Sequence, residues 1–239
     1  MEKILISVIV PTYNEEKTLS ELLESLKNQK TNLSYEVIIV DYNSTDRTRD
    51  IVRKSGYKLV IEKKAGRAAA RNTGALKAKG EILAFTEADC IVNPNWIEAI
   101  GNHLSENPDV IGLSGIYSFY NSSVFYNLLA KIILNFNVIV YRLALGNHSF
   151  RGTNFVLRKK FVNKVAGFRN EALPCDDFDM GLRVRKLGPI HHLPEMQIMT
   201  SDRRIRDRLF KFLKEFFITY FSVFVLKRRG SDKTFATVR

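Results

Sequence analysis

The stretch that decides the fold is ILISVIVPTYNEE at residues 4–16. Ile4–Val10 is a nearly continuous apolar run that ends at Pro11, which is typical of a strand buried on both faces of a parallel sheet. No basic segment precedes the run and no small-residue cleavage site follows it, so we expect no signal peptide. The next apolar residues recur at the spacing of one helix face and are Leu19, Leu22, Leu23 and Leu26.

Strand and helix patterns continue to alternate beyond this first unit. The predicted strands are Glu36–Val40, Leu59–Ile61, Ile82–Thr86 and Phe150–Leu157. The predicted helices are Asp46–Lys54, Ala68–Lys79, one that begins at Asn93-Pro94, the mostly apolar Ser122–Leu145, and Asp177–Leu187. This order predicts an α/β fold with a doubly wound, mostly parallel sheet and helices on both faces.

Composition narrows the class of protein. The chain has 239 residues, of which 45% are hydrophobic, with 13 glycines and 6 prolines. These values exclude collagen-like, low-complexity and intrinsically disordered classes. Cys90 and Cys175 are the two cysteines, too few for a disulfide framework, so we expect a reducing compartment.

Positive charge is concentrated at the C-terminal end. The net charge is +12, and residues 200–239 hold eleven Lys and Arg against four acids. These basic residues bracket a phenylalanine-rich segment, Leu209–Leu226, which carries three charges and is short of the roughly 20 apolar residues needed to cross a membrane. We therefore expect an amphipathic helix on an anionic membrane surface, with packing on the protein's own core as the alternative. Because no recognised nucleic-acid motif is present, we expect no nucleic-acid partner.

Acidic side chains follow three of the predicted strands. They are Glu15, Asp41, Glu87 and Asp89, at the edge of the sheet where ligands of open α/β folds bind. Neither a dinucleotide-binding glycine motif nor a P-loop follows a strand. Carboxylates beside a diphosphate make physical sense when a hard cation lies between them, and Mg²⁺ or Mn²⁺ uses one or two carboxylates together with phosphate oxygens.

Five segments together resemble family 2 glycosyltransferases. They are ISVIVPTYNEEKTLSELLESL (6–26), EVIIVDYNSTDRT (36–48), GRAAARNTGA (66–75), ILAFTEADCIVNPNWI (82–97) and CDDFDMGLRVRKLG (175–188). Each segment alone is a weak signal, whereas five in this order and rough spacing are a strong one. The resemblance implies the GT-A fold and a nucleotide-sugar donor, linked to UDP or GDP.

The resemblance also implies donor-binding residues. Pro11, Tyr13 and Glu15 match the segment that lines the nucleoside pocket. Asp41 matches an acid that contacts the base or the ribose, and Tyr42 stands where many members have a second Asp.

Further matches concern the diphosphate and the metal. Arg71 and Asn72 match a segment near the diphosphate. Glu87 and Asp89 occupy the D-x-D metal motif, with Asp89 as the metal-binding acid and Glu87 as a donor-binding residue in place of the first Asp.

The remaining matches lie in the second half. Asp176 and Asp177 match the acidic pair that opens the acceptor helix, with Asp177 as general base. The segment TSDRR (200–204) resembles a family segment near the diphosphate, which implies that Arg203 or Arg204 balances the charge of the leaving group; the alternative is that both belong to the general basic end. Acids at a helix start are also favoured by the helix dipole, which is the alternative explanation for this pair. If the acceptor is an ionised phosphate, a base is less necessary.

These observations predict one GT-A domain over residues 1–200, with a nucleotide-binding half of about 1–100 and an acceptor half of about 101–200, followed by a basic tail over 201–239. The predicted activity is metal-dependent, inverting transfer of a sugar to a lipid, lipid-linked or glycan acceptor. We expect the protein at the cytoplasmic face of a membrane. The alternative is a sugar-nucleotide-binding protein of the same fold without catalysis.

Overall fold

The structure, a computed structural model, describes residues 6–120, 153–169 and 176–202, together with positions 122, 123, 128, 132 and 150. The strands in this part of the chain are β1 (Ile6–Thr12), β2 (Tyr35–Asp41), β3 (Lys58–Ile61), β4 (Ile82–Thr86), β5 (Cys90–Val92), β6 (Gly112–Tyr120), β7 (Asn154–Arg158) and β8 (Ile190–Ser201). The helices are α1 (Leu19–Lys27), α2 (Thr48–Ser55), α3 (Arg67–Lys77), α4 (Trp96–Glu106), α5 (Lys159–Lys164) and α6 (Asp176–Val184).

All eight strands form one sheet, in the order β3-β2-β1-β4-β7-β6-β8-β5. The first four in this order are parallel, and β6 and β8 are also parallel to each other. Strand β7 is antiparallel to both of its neighbours, and β5 is antiparallel to β8. The predicted mostly parallel α/β sheet is therefore confirmed.

Both faces of the sheet are covered, and the central strand shows this directly. Every residue of β1 is buried, with Val8 and Val10 in the core on one face and Ile9 in the core on the other. The core that contains Val8 holds the four leucines of α1 and the start of α4. The core that contains Ile9 holds the alanine-rich face of α3 with residues of α5 and α6. A continuous apolar run was the correct signal for a strand buried on both faces.

The second half holds elements that the sequence pattern did not predict. Strand β6 pairs in parallel with β8, and the pairing shifts its register between Ser114 and Ile116. The predicted strand Phe150–Leu157 is present from Asn154 to Arg158. Apart from the isolated positions 122, 123, 128 and 132, the predicted helix Ser122–Leu145 lies outside the described residues, as does the predicted amphipathic helix within 203–239. Within the described ranges, no helix is long and apolar enough to cross a membrane.

One buried amide joins four elements of this second half. The Asn154 side chain is fully buried and donates from Nδ2 to the carbonyls of Ile116, at 2.8 Å, and Met196, at 2.7 Å. Its Oδ1 accepts a hydrogen bond from Nε1 of Trp96 at 3.0 Å. A Cβ at Gly115 would lie 2.3 Å from Nδ2, so the absence of a side chain there gives the amide its space. Asn154 thus bonds to backbone carbonyls of β6 and β8 where their register is irregular.

We predict that Asn154→Asp lowers the free energy of unfolding by at least about 2 kcal/mol, because it faces two buried carbonyl oxygens with an acceptor instead of a donor. Urea denaturation measures the difference. Asn102→Asp, an exposed site on α4, is the matched control and should change stability little. Equal stability of the two variants would contradict the prediction.

Candidate active site

The predicted site residues collect at the carboxyl ends of β1, β2 and β4. Thr12, the last residue of β1, pairs with Asp41, the last residue of β2. Strand β4 lies on the other side of β1 and runs in the same direction, so Glu87 and Asp89 follow it at the same edge of the sheet. Asp41, Glu87 and Asp89 therefore lie at the same edge of the sheet, here called the rim, where the sequence predicted them.

Asp41 is a fully buried carboxylate with one oxygen held and one available. Its Oδ1 accepts from Nε of Arg49 at 2.6 Å and from the backbone N–H of Ser44 at 3.3 Å. Among the described residues, Oδ2 has no hydrogen-bond partner. A buried acceptor of this kind costs free energy until a donor reaches it, so Oδ2 is suited to receive an N–H or O–H of a ligand.

Two aromatic rings stand beside Asp41. Tyr13 is 47% exposed and its ring stacks on that of Tyr42, with centroids 5.4 Å apart and an interplanar angle of 16°. Pro11, within β1, is buried. Glu15 is also buried; its Oε2 accepts from the hydroxyl of Thr18 at 2.9 Å. Tyr13 is therefore the predicted nucleoside-pocket side chain that is most open to a ligand.

Glu87 and Asp89 lie in a tight turn between β4 and β5. Both are buried, with exposures of 6% and 3%. The turn is closed by a hydrogen bond from the Cys90 N–H to the Glu87 carbonyl, and the Asp89 carbonyl accepts from the Ser201 N–H. Burial and the neighbouring Asp89 carboxylate raise the pKa of the Cys90 thiol, which argues against a nucleophilic cysteine here.

Helix α3 brings two arginines to these acids. Nη1 of Arg67 donates to Oε1 of Glu87 at 3.0 Å. Arg71, one helical turn further, is fully buried, and its Nη1 lies 2.7 Å from both carboxylate oxygens of Asp176. The Arg71 Nη2 lies 3.7 Å from Oε1 of Glu87.

Asn72, the other residue predicted near the diphosphate, contacts the backbone of Phe168. Its Nδ2 donates to the Phe168 carbonyl and its Oδ1 accepts from the Phe168 N–H, both at 2.7 Å. Gly167 precedes this contact with a φ of 74°, and a Cβ there would lie 2.5 Å from the Asn72 Oδ1. The close approach and the left-handed backbone both favour glycine.

Asp176 and Asp177 begin α6, as the motif predicts. Burial raises the pKa of Asp177 to about 6; the Asp176 carboxylate adds to the increase, and the guanidinium of Arg71 opposes it. A carboxylate with this pKa is ionised at neutral pH and is a stronger base than an ordinary aspartate.

The described residues hold no group of three or more His, Cys, Asp and Glu side chains that could ligate a metal. The donor set at the rim is nevertheless of the right chemistry for Mg²⁺ or Mn²⁺, because Asp89 offers hard oxygen ligands and a bound diphosphate would offer more. Arg203 and Arg204, predicted beside the leaving group, lie outside the described residues.

The sequence pattern did not predict two contacts of the site, that of Arg67 with Glu87 and that of Arg49 with Asp41. A signal was present for the first of them. Arg67 and Arg71 are four residues apart, which places both on one face of α3. Arg49 reaches Asp41 from the start of α2, eight residues away, and nothing in the local pattern distinguishes it from a surface arginine.

Proteins with similar sequences are named as glycosyltransferases. Glycosyltransferase AglE of Haloferax volcanii is 28% identical over 192 residues, covering 77% of this chain and 62% of that protein. The probable glycosyltransferase YdaM of Bacillus subtilis is 28% identical over 203 residues, covering 77% of this chain and 47% of that protein. The chain thus spans less than two thirds of either relative.

Solved structures show the fold. The mannosyltransferase PcManGT of Pyrobaculum calidifontis, in complex with GDP-Man and Mn²⁺, matches with a TM-score of 0.66 at 23% identity, over 82% of this chain and 56% of that one. Staphylococcus aureus TarS 1-349 with UDP-GlcNAc matches with a TM-score of 0.64 at 24% identity, over 82% of this chain and 58% of that one. These likenesses establish a GT-A type fold. The family model described as Glycosyl transferase family 2 matches residues 7–166, and the chain therefore belongs to this family.

Proposed function

We propose that the protein transfers a sugar from a nucleotide-sugar donor to an acceptor with the help of a divalent cation. The observation that carries the proposal is a group of five buried carboxylates at one edge of the sheet, in a chain of this family: Asp41, Glu87, Asp89, Asp176 and Asp177. Buried negative charge is unfavourable unless cations or hydrogen-bond donors compensate it, so this edge is suited to bind a metal and a polar ligand.

Donor recognition is assigned to the Asp41 end of the site. The Oδ2 of Asp41 is placed to accept an N–H of the base or a ribose hydroxyl, and Tyr13 offers an exposed ring face beside it. Uracil and guanine both carry an N–H that can meet such an acceptor, in keeping with the UDP or GDP of the solved neighbours. We therefore propose a UDP- or GDP-linked sugar as donor.

Asp89 is the proposed metal ligand, and Glu87, held by Arg67, is proposed to contact the donor. When bound, Mg²⁺ or Mn²⁺ would supply positive charge to the diphosphate as it leaves. Asp89 suits this role because its carboxylate is buried in a turn fixed by backbone hydrogen bonds at residues 87 and 201.

Asp177 is the proposed general base of an inverting transfer. Its carboxylate takes the proton of the acceptor hydroxyl, and the acceptor oxygen forms a new bond to C1 of the sugar. The bond between C1 and the diphosphate oxygen breaks on the opposite face, and its electron pair leaves with the diphosphate. The raised pKa of Asp177, about 6, suits proton abstraction near neutral pH.

The proposed acceptor is a lipid, lipid-linked sugar or other glycan at the cytoplasmic face of a membrane. Two apolar segments support this, Ser122–Leu145 and Leu209–Leu226, with the basic residues around the second one. A catalytically inactive binding protein is the alternative, suggested by Glu87 and Tyr42 at positions where other members have Asp. A site with a buried base of raised pKa favours the enzyme.

Asp89→Ala should abolish Mn²⁺-dependent binding of UDP and GDP while the fold is kept, because it removes the hard ligand that joins the cation to the protein. Thermal shifts with each nucleotide, with and without Mn²⁺, measure this. Glu106→Ala, an exposed acid on α4, is the control. Equal Mn²⁺-dependent shifts in Asp89→Ala and the parent would refute the assignment.

Asp177→Asn should lower turnover by at least about 10²-fold with nucleotide affinity nearly unchanged, because it removes the proton acceptor. In the parent, activity should rise with pH through about 6, where Asp177 ionises, and then level off. Because the pKa of Asp177 is raised in the folded state, ionisation of this carboxyl lowers the stability of the fold. The loss of stability develops as the pH rises from about 4 to about 6. Asp177→Asn should therefore unfold at no lower temperature than the parent at pH 8.

Asp179→Asn is the matched control for this variant, because Asp179 lies on the same helix and pairs with Arg183 at 2.7 Å. The control should lose stability and keep its turnover. Near-parent turnover in Asp177→Asn would remove Asp177 from the role of base and would indicate an acceptor that is already ionised.

The C-terminal segment should anchor the protein to anionic vesicles. Its apolar area comes from Phe210, Phe217, Phe221 and Phe224, spaced as one helix face. Each basic residue beside it adds about 1 kcal/mol at low salt. Truncation after Arg208 should give a folded protein that binds nucleotide and no longer sediments with phosphatidylglycerol vesicles. An unfolded product, or a full chain that ignores these vesicles at low salt, would contradict membrane docking.

A further inference from the structure

Arg71 is a charged side chain of the site with no exposed surface. Its Nη1 lies 2.7 Å from both oxygens of Asp176, at the start of α6. Its Nη2 lies 3.7 Å from Oε1 of Glu87, which follows β4. The guanidinium of Arg71 therefore lies between Glu87, on the donor side of the site, and Asp176, next to the proposed base.

Aromatic rings enclose this guanidinium. Its central carbon lies 5.5 Å from the ring centroid of Phe155, on β7, and 5.8 Å from that of Phe168. The backbone of Phe168 is in turn held by two hydrogen bonds with the side chain of Asn72, the residue next to Arg71. Exclusion of water strengthens the attraction between Arg71 and the carboxylates, and the ring faces favour a cation.

Arg67 provides a contrast on the same helix face. Its side chain is 37% exposed, and its Nη1 lies 3.0 Å from Oε1 of Glu87. Arg67 thus has surface that a bound donor can contact, whereas Arg71 has none. Arg71 is thus placed to act on the ligand through its neighbours.

We propose that Arg71 is a positioning residue: it fixes Asp176 so that the adjacent Asp177 faces the reacting centre, and through Glu87 it ties α6 to the donor side of the site. This inference rests on the proposed transferase function. The resemblance of the sequence predicts instead that Arg71 binds near the diphosphate. The two roles differ in what a conservative substitution changes: a positioning residue affects turnover, whereas a donor ligand affects donor affinity.

The charges around Asp177 agree with this role. The Arg71 guanidinium acts to lower the pKa of Asp177 against the effects of burial and of the Asp176 carboxylate. Arg71 therefore helps to keep the proposed base ionised as well as oriented. Loss of its hydrogen bonds to Asp176 would leave a buried carboxylate free to turn toward Asp177.

The test compares Arg71→Lys, Asp176→Asn and the double variant with the parent. The assay is hydrolysis of UDP-glucose, UDP-GlcNAc and GDP-mannose in the presence of Mn²⁺, with affinity for UDP and GDP taken from thermal shifts. Arg183→Lys is the matched control: Arg183 lies on α6, pairs with Asp179 and donates to two backbone carbonyls of residues 165 and 167. It therefore reports a purely structural loss in the same helix.

We expect kcat to fall at least about tenfold in Arg71→Lys and in Asp176→Asn, with donor KM and nucleotide affinity within about threefold of the parent. Because the two residues act as a unit, the double variant should be about as slow as the slower single variant. Arg183→Lys should keep its kcat.

Three results would overturn the proposal. A loss of nucleotide affinity in Arg71→Lys as large as its loss of turnover would make Arg71 a donor ligand. Equal kcat in Arg71→Lys and Arg183→Lys would make its role structural. If Arg71→Lys does not fold, Asp176→Asn decides, and parent-like turnover there refutes the proposal. A parent that binds nucleotide and hydrolyses none of the three donors refutes the transferase function itself.

Discussion

The compensation of buried negative charge is the constraint on which this site depends. Five carboxylates at one edge of the sheet are each at least nine-tenths buried, where an isolated charge would be strongly unfavourable. The chain supplies three guanidinium groups against them: Arg49 on Asp41, Arg67 on Glu87 and Arg71 on Asp176. The proposed cation at Asp89 and the donor groups of a nucleotide at Asp41 would add to this compensation. The proposed nucleotide-sugar and the proposed metal would complete this arrangement of charges.

The sheet makes that arrangement possible because parallel strands end at a common edge. The buried apolar strands β1, β2 and β4 fix the backbone at Thr12, Asp41 and Thr86, so the acids that follow have little freedom. The second half then brings α6 to the same edge. Asn154 contributes to this by joining β6, β7, β8 and α4 where the strand register is irregular. Rigidity in the sheet is what allows short, charged side chains to be placed accurately at its rim.

Local sequence predicted the elements that have a strong period or a continuous apolar run. Strand β1 and helix α1 are of this kind. Strand β4 is a continuous apolar run as well, and this predicted the position of Asp89 shortly after it. Strand β6 was missed because GLSGIYSFY mixes glycine and serine with apolar residues, and β8 because Pro194 interrupts IHHLPEMQIMTS. The contact of Arg71 with Asp176 joins residues 105 apart in sequence, and only the folded chain brings them together. The family resemblance identified both residues, whereas their pairing required the structure.

The pairing of Arg71 with Asp176 also helps to explain why the site buries charged side chains where apolar side chains would be more stable. A buried ion pair rarely adds net stability over a well-packed apolar core, although removal of one partner is costly. The site therefore gains little for folding from Arg71, Asp176 and Glu87, while the same groups leave Asp177 with a pKa of about 6. A base tuned in this way must be both buried and close to a fixed cation, because burial raises its pKa and the Arg71 guanidinium lowers it. The arrangement is therefore better explained by the proposed chemistry of Asp177 than by the stability of the fold.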